Sequence, residues 1–291
     1  IYNNAWYTIY GSSGISFYQN SNFDTETGHK FIIRNNKMMS NYNLVPWLVN
    51  CGIYDGNGII IDDSRQTQNG STLNSYIGRT LIENNIIYGS SDPAIHVYES
   101  EHVDIVNNST YYNQQEAVNF NGEIYANNSN DVLIRNNIMY ANPDKPINAV
   151  ISSTNVTLNN NLLFGGNGSY VLSTNSNIGN PNYISPSINI NADFYINSSS
   201  PAIDNGSSIS APNTDYSGNS RPVGNGYNIG AYEYDTSLSI WDFQSFTVKF
   251  YPNPVSDFLL IESTNKIESY KIYDLTGKMI QYNNDFKRNR I

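Results

Sequence analysis

Five short segments of this 291-residue chain end in a pair of asparagines. Each pair follows a strand-like run, in the segments FIIRNN, TLIENN, VDIVNN, VLIRNN and VTLNNN, and the pairs stand at 35/36, 84/85, 107/108, 136/137 and 160/161. Most of the resulting spacings fall between about 22 and 30 residues, the length of one coil of a β-solenoid. Asparagine tolerates left-handed backbone angles, and its amide can bond to the coils above and below. The sequence therefore predicts stacked coils with the asparagines in line.

Alternating apolar residues within these segments predict which side chains face the interior. In the asparagine-terminated strands the inward set is Phe31, Ile33, Thr80, Ile82, Val103, Ile105, Val132, Ile134, Val156 and Leu158. Four coils carry an earlier strand, in the motifs GISFY, GIIID, AIHVY and AVNFN, and its inward set is Ile15, Phe17, Ile59, Ile61, Ile95, Val97, Val118 and Phe120. A β-sandwich or a propeller is the alternative architecture, but neither predicts asparagine pairs in register.

The repeats over residues 1–235 resemble the right-handed parallel β-helix of the pectin-lyase-like superfamily. The resemblance implies an all-β fold, a right-handed single-stranded parallel β-helix, with very little helix. The segments FYINSSSPAIDNG and DYSGNSRPVGNGYNIGAYEY look like the terminal coils of secreted bacterial β-helix proteins. The opening IYNNAWYTIYGSSG has the texture of the middle of a fold, so we expect an N-terminally trimmed chain.

Residues 236–291 have a different sequence pattern. They resemble the C-terminal sorting domain of the type IX secretion system of Bacteroidetes. The matching residues are Tyr251, Pro252, Asn253, Pro254, Asp257, Tyr273, Asp274, Gly277 and Lys278. The resemblance implies a small β-sandwich, a secreted or surface-attached protein and the secretion machinery as a partner. The last residues, NNDFKRNRI, differ from the family's final strands, so we expect a truncated end. An ordinary immunoglobulin-like accessory module is the alternative.

The charge balance excludes one class of partner. The formal net charge is −10, and residues 1–235 hold 8 Lys and Arg against 19 Asp and Glu. An acidic body disfavours nucleic acid, whose phosphates need a basic face. No apolar run reaches 18 residues, so we expect no membrane span. The single cysteine, Cys51, leaves no internal disulfide, and we expect a monomer.

The stretch NGIIIDDSR, residues 57–65, contains an apolar strand that is followed by two carboxylates, Asp62 and Asp63. Alignment of the first strands predicts Asp62 on the solvent face between Tyr18 and Tyr98, with His96 diagonal to it. Beside them the alignment places Glu99, Asn119, Asn121 and Glu123 on the same patch. A pair of aspartates at a strand end is also a common turn former.

Long insertions flank this strand. They are SNYNLVPWLVNCGIYDG before it, QTQNGSTLNS after it, and NSNFDTETGHK in the preceding coil. Long loops on a regular scaffold are where binding and catalysis concentrate. We therefore expect a cleft around Asp62, with Trp47 and Tyr42 stacking on sugar rings and Asn119, Asn121 and Glu123 contacting substrate.

Within the superfamily this stretch resembles secreted carbohydrate-active enzymes: polysaccharide lyases, uronate C5-epimerases and glycoside hydrolases. The coil is similar to that of alginate C5-epimerases, because Gly58 to Asp62 and Glu83-Asn84-Asn85 match their pattern. The epimerase aspartate and histidine of the preceding coil would fall on Ser16 and Tyr18, whereas the imidazole here is His96. Chemistry of that specific type is therefore not implied.

Three functions remain open at this point. In a lyase acting on an acidic polysaccharide by β-elimination, Arg65 or a calcium ion neutralises the uronate, His96 or Lys30 is the base, and Tyr18 or Tyr98 the acid. The calcium ligands would be Asp62, Asp63 and Glu99, since hard carboxylate oxygens suit that ion. In a glycoside hydrolase, Asp62 would work with Asp63 or Glu99 across roughly 5 to 9 Å. The third reading is a non-catalytic glycan-binding surface protein or adhesin. The lyase is the first hypothesis.

Overall fold

The computed structural model describes residues 1–48, 51–116, 121–172, 174–235, 248–251, 257, 259–263 and 269–283. The chain divides into two compact units, Ile1–Thr236 and Ser237–Ile291. Across the described ranges the regular elements are strands and turns, with no helix. The chain is therefore all-β, as the composition and the repeats predict.

Three parallel sheets build the first unit, and the chain visits them in a fixed order. The first sheet contains β1 (Ile15–Tyr18), β4 (Ile59–Asp62), β7 (Ile95–Tyr98), β10 (Ile124–Asn127) and β13 (Asn148–Ile151). The second contains β2 (His29–Arg34), β5 (Arg79–Glu83), β8 (Glu101–Val106), β11 (Asn130–Arg135) and β14 (Thr154–Asn159). The third contains β3 (Lys37–Met39), β6 (Ile86–Tyr88), β9 (Ser109–Tyr111), β12 (Ile138–Ala141), β15 (Leu162–Gly165) and β16 (Asn177–Ile178). Three successive strands make one coil, so the unit is a parallel β-solenoid.

Side chains from all three sheets fill the interior, following the predicted alternation. The fully enclosed members include Ile59, Ile61, Ile82, Ile95, Val97, Val103, Ile105 and Ile134. In the end coils, Ile15, Phe17, Val156 and Leu158 pack against this core but stay partly exposed, because each has a neighbouring coil on one side only. The predicted inward set of the asparagine-terminated strands is confirmed.

A ladder of amides runs through the corner between the second and third sheets. The second asparagine of each pair donates through Nδ2 to Oδ1 of the next: Asn36 to Asn85 (3.0 Å), Asn85 to Asn108 (2.9 Å), Asn108 to Asn137 (3.0 Å) and Asn137 to Asn161 (3.2 Å). The first asparagine of every pair has a left-handed backbone, with φ between 50° and 56°. The predicted stacking of the five pairs is confirmed.

The first asparagines point outward and hold the end of the solenoid chain. In four of the five, Nδ2 donates to a backbone oxygen of residues 205–228, in the bonds Asn84 to Thr214 (2.7 Å), Asn107 to Asn228 (3.0 Å), Asn136 to Ser207 (2.8 Å) and Asn160 to Asn205 (3.0 Å). Residues 183–234, here called the closing segment, include the antiparallel pair β17 (Tyr183–Ser185) and β18 (Asp193–Ile196).

The closing segment covers the outer face of the third sheet. Its side chains Phe194, Ile229 and Tyr232 join Ile86 and Tyr88 of the sheet in a second apolar cluster. The expectation that this stretch forms terminal coils was wrong, because its apolar residues bury against the side of earlier coils and add no parallel strand to the sheets.

The fourth coil also differs from the predicted alignment. Its first strand is β10, whose Ile124 pairs with Ile95 and whose Tyr125 pairs with His96. The predicted strand around Val118 and Phe120 was therefore misaligned, and residues 117–120 lie outside the described residues. Both AVNFN and EIYAN alternate apolar and polar side chains, so alternation alone does not choose between them.

The second unit contains antiparallel strands. The strand β19 (Val248–Tyr251) pairs with β20 (Leu260–Ser263), and β21 (Tyr270–Tyr273) pairs with β22 (Met279–Asn283). Asp274 closes the turn between the last two, because its Oδ1 accepts from the backbone nitrogens of Thr276 (2.8 Å) and Lys278 (3.0 Å). Pro252, Asn253 and Pro254 lie outside the described residues.

Removal of one ladder amide tests its energetic role. We expect Asn108→Ala to lower the free energy of unfolding by about 3 kcal/mol, because it leaves buried polar groups in two neighbouring coils without a hydrogen-bond partner. The matched control is Asn36→Ala at the end of the ladder, where about 1 kcal/mol is expected since fewer partners lose a bond. Denaturant titrations of both variants give the two values. Equal losses at both positions would show that the ladder is not the stabilising element.

Candidate functional site

Asp62 lies on the outer face of the first sheet between two tyrosines. Strand pairing sets Tyr18 and Tyr98 directly beside it on the neighbouring coils, as predicted. Its Oδ1 accepts one hydrogen bond, from Gln68 Nε2 at 2.8 Å. Burial raises the pKa of Asp62 to about 7, and the charges of Asp55, Asp63 and Glu99 add to the effect. Near neutral pH this carboxyl is therefore partly protonated.

Asp63 has the opposite surroundings. It is fully buried, its φ is 49°, and its carboxylate accepts from Thr67 N (2.6 Å), Thr67 Oγ1 (2.9 Å), Gln68 N (2.9 Å) and Gln19 Nε2 (2.8 Å). Burial alone would raise the pKa of Asp63, but these hydrogen bonds outweigh it and hold the pKa below its ordinary value. Asp63 thus organises the turn that opens the long loop. This geometry favours a structural role, and the catalytic role stays a prediction.

His96 is enclosed by aromatic rings. Its ring stacks on Tyr125 at 4.7 Å and 18° and lies 5.6 Å from the Tyr98 ring. Both ring nitrogens are buried without a hydrogen-bond partner, and burial lowers the pKa of His96 to about 3. The imidazole is therefore neutral. The prediction that His96 is a surface residue was wrong, because its ring is enclosed. Its role as a base stays a prediction.

The loop after Asp63 folds back over the outer face of the first sheet. Asn69 Nδ2 donates to the Tyr18 hydroxyl at 2.6 Å, beside the Gln68 contact with Asp62. Arg65 Nη1 donates to the backbone oxygen of Asn128 at 2.9 Å, at the same corner of the coils. Glu99 accepts a hydrogen bond from Asn128 Nδ2 (3.1 Å), and its Oε2 lies 3.0 Å from Thr67 Oγ1, whose single proton it shares with Asp63. Tyr18, Asp62, Tyr98, Arg65 and Glu99 are thus brought together.

Other predicted site residues lie elsewhere among the described residues. Lys30 is on β2 of the second sheet and forms an ion pair with Asp24. Trp47 packs edge-on against Tyr54, with ring centroids 6.1 Å apart, and Tyr42 is half-buried. No hydrogen bond, ion pair or ring contact within the described ranges joins Lys30, Trp47 or Tyr42 to Asp62, so their roles stay predictions.

The residues predicted from the fourth coil are also displaced. Glu123 is fully buried and accepts from Asn113 N (2.9 Å) and Asn113 Nδ2 (2.6 Å), and burial raises its pKa to about 7. The Asn121 backbone nitrogen donates to Gln114 Oε1 at 2.7 Å. Asn119 lies outside the described residues. Substrate binding by these three stays a prediction, but the alignment on which it depended was wrong.

The proposed calcium ligands do not fit a calcium ion. Asp63 already engages both of its carboxylate oxygens in the four hydrogen bonds given above. Within the part of the chain that the structure describes, no three His, Cys, Asp or Glu side chains are grouped so that they could hold a metal ion. We therefore assign no step to a metal at Asp62, Asp63 and Glu99.

Two features escaped the sequence analysis. Gln68 and Asn69 reach the face only because of the loop's return path, which no local pattern signals. On the second sheet, Arg79 bridges Asp104 (2.7 Å) and Asp131 (2.7 Å), and each carboxylate also holds a histidine, His29 or His102, at 2.7 Å. Arg79 joins carboxylates of two other strands of the same sheet, so we assign this network to cross-strand stabilisation.

A separate cleft of about 650 Å³ is lined by residues 3–10 and 12 of the N-terminal segment. It contains Trp6, Tyr7 and Tyr10 but no carboxylate. The lining of this cleft is thus aromatic and polar and holds no side chain that was predicted as a site residue.

Comparison with known families identifies the end of the chain. The model of the secretion system C-terminal sorting domain matches residues 249–291. The match confirms the predicted type IX sorting domain and makes the chain a secreted or cell-surface protein that engages this secretion machinery. No curated protein matches the chain. Across the described residues no helix is long and apolar enough to span a membrane.

The two neighbouring aspartates give a stability test. We expect Asp63→Asn to lower the free energy of unfolding by about 2 kcal/mol, because the amide nitrogen that replaces one carboxylate oxygen cannot accept the hydrogen bonds made to that oxygen. Asp62→Asn should change it by less than about 1 kcal/mol, since its single hydrogen bond can be kept. Thermal melts compare the two. The division of roles is wrong if Asp62→Asn is the more damaging change.

A truncation tests the second unit. A chain ending near Ser237 should fold as the solenoid but stay inside the cell, because it lacks the sorting signal. Circular dichroism and fractionation of the producing cells measure the two outcomes. Unfolding of the truncated chain would instead show that the second unit caps the solenoid.

Proposed function

We propose that the solenoid unit cleaves a polysaccharide on the outer face of its first sheet, with Asp62 as the general acid. The observation that carries the proposal is the half-buried Asp62 carboxyl between two tyrosines. Tyr18 is 44% exposed, and tyrosine rings offer flat apolar surfaces with a polar edge, which suit sugar rings.

A carboxyl with a pKa of about 7 supports the role of proton donor. A general acid works best when its pKa lies near the working pH, because it then carries the proton and also releases it. A glycosidic oxygen needs such a donor when the bond to it breaks. The hydrogen bond from Gln68 fixes the carboxyl oxygen that does not carry the proton.

Glu99 is the second carboxylate in this proposal. It follows Tyr98 on the next coil and is close enough for its charge to raise the pKa of Asp62. Asp63 is the other neighbour, but it is engaged by three hydrogen bonds within its own turn and by a fourth from Gln19 of the preceding coil. Glycosidases use a pair of carboxyl groups, one as acid and one as base or nucleophile, so glycoside hydrolysis by Asp62 and Glu99 is the reaction that the geometry supports best.

β-Elimination of an acidic polysaccharide is the second candidate. It is favoured by the position of Arg65 at the same corner and of the Tyr18 and Tyr98 hydroxyls beside Asp62. The crowding of Asp62, Asp63 and Glu99 opposes it, because a uronate carboxylate would enter an acidic patch. A neutral glycan therefore fits this face better.

The reaction is tested on a panel of neutral and acidic glycans. New reducing ends without an ultraviolet-absorbing product indicate hydrolysis, whereas an absorbing unsaturated product indicates elimination. Binding with neither product supports a surface glycan-binding protein. No binding and no product would contradict the proposal.

Asp62→Asn should lower turnover by about a hundredfold or more, since a positioned acid is lost. In the unmodified protein, turnover should fall as pH rises through about 7, because Asp62 then loses the proton that it donates. The matched control is Asp144→Asn, which makes the same change at an exposed loop position. Full activity of Asp62→Asn would remove Asp62 from the mechanism.

A further inference from the structure

The loops that precede β4 and β7 enclose a polar cluster that lies outside the site described above. Five residues surround Gly56: Asn43, Asp55, Asn57, Ser91 and Asp92. Gly56 has φ +81°, and a Cβ built on it would lie 2.0 Å from Ser91 Oγ and 2.9 Å from the Asn43 nitrogen. The Asp92 nitrogen donates to the Gly56 oxygen at 3.4 Å. Glycine therefore lets the two loops close around a shared space.

Three buried oxygens of this cluster have no hydrogen-bond partner. They are Asn43 Oδ1, Asn57 Oδ1 and Asp92 Oδ1. Asn43 and Asn57 are completely buried, and Asp92 is 6% exposed. The amide nitrogens of both asparagines are engaged, that of Asn43 by the Tyr54 oxygen (2.8 Å) and that of Asn57 by Ser13 Oγ (3.0 Å). A buried acceptor without a donor is costly and calls for a ligand.

The cluster also carries two carboxyl groups. Burial raises the pKa of Asp55 to about 6 and that of Asp92 to about 8, and the charge of Asp55 contributes to the shift of Asp92. Lys145 is the cation that acts on Asp92, but its Nζ donates to the Glu116 oxygen at 2.5 Å. Two carboxyl groups thus share a buried space.

We propose that the carboxylates of Asp55 and Asp92 and the side-chain oxygens of Asn43 and Asn57 bind a calcium ion beside Gly56. Oxygen-only ligands in a flexible loop setting are the preference of this hard cation. Two carboxylates balance the charge of a divalent ion, and water completes its coordination. With two carboxylates and two amides, the set differs from the Asp62, Asp63 and Glu99 set rejected above. The proposal does not rest on the proposed glycan cleavage, although the charge of Asp55 also contributes to the raised pKa of Asp62.

Thermal melting of the full chain in chelator and in increasing CaCl₂ tests the site. Ligand binding to the folded state should raise Tm in proportion to the logarithm of free calcium above the dissociation constant. Asp92→Asn and Asp55→Asn should each abolish this rise. Asp144→Asn, with the same charge change on an exposed loop, and Asp62→Asn should both retain it.

Terbium luminescence gives a second measurement on the unmodified protein. Tb³⁺ replaces calcium in oxygen sites, and nearby tyrosines sensitise its emission; Tyr125 lies close enough for the Asp92 charge to raise its pKa. We expect emission that CaCl₂ competes away, and a loss of tenfold or more in Asp92→Asn. If one variant folds poorly, the terbium titration of the unmodified chain still tests the site, because it does not depend on any variant.

Three outcomes would overturn the proposal. The first is an unmodified chain whose Tm does not change with calcium and that binds no terbium. The second is an Asp92→Asn variant that melts at a higher temperature in chelator while its calcium response persists, as expected of a merely buried acid. The third is a calcium response that disappears in Asp62→Asn but persists in Asp92→Asn, which would place the ion on the glycan-facing patch.

Discussion

The hydrogen bond between stacked asparagine amides fixes the register on which the rest of the solenoid depends. Asn85, Asn108 and Asn137 are completely buried, and each both donates to and accepts from its neighbours. The first asparagine of each of these pairs has a left-handed φ. This conformation turns the chain sharply from the second sheet into the third. The same turn leaves the first amide outside, where it fastens the closing segment. The asparagine pair therefore joins neighbouring coils, bends the chain within each coil and holds the closing segment over the third sheet.

A fixed corner permits long insertions elsewhere. The second coil carries its additional residues on both sides of β4, yet β4 keeps its pairing with β1 and β7. A second ladder secures the next corner, because the backbone nitrogens of Ser64, Ser100 and Ser129 each donate to the serine hydroxyl of the following coil. The loops that reach over the first sheet thus grow from strands that the ladders hold in place. Placement of a site on such a face costs the core little.

Local periodicity was sufficient for the stacked asparagine pairs, the inward residues of the asparagine-terminated strands and the Tyr18–Asp62–Tyr98 column, because these depend on backbone pairing and repeat length. It failed where distant segments decide. Ile60 and Tyr125 belong to the outward-facing columns of the first sheet but are only 5% and 6% exposed. His96 is enclosed by the rings of Tyr98 and Tyr125. In the fourth coil two candidate strands satisfied the same alternation, and only the packed structure separates them.

The pair Asp62-Asp63 shows why residue type alone could not assign the chemistry. The two side chains are identical and adjacent, yet the pKa of one is raised to about 7 and that of the other is lowered. The difference follows from the backbone: the left-handed φ of Asp63 turns its carboxylate into a ring of donors, whereas the extended Asp62 keeps a single amide contact. Asp63 can remain ionised only because the turn supplies those donors. Its negative charge then helps to keep the proton on Asp62. The turn that shapes the loop therefore also contributes to the raised pKa of Asp62.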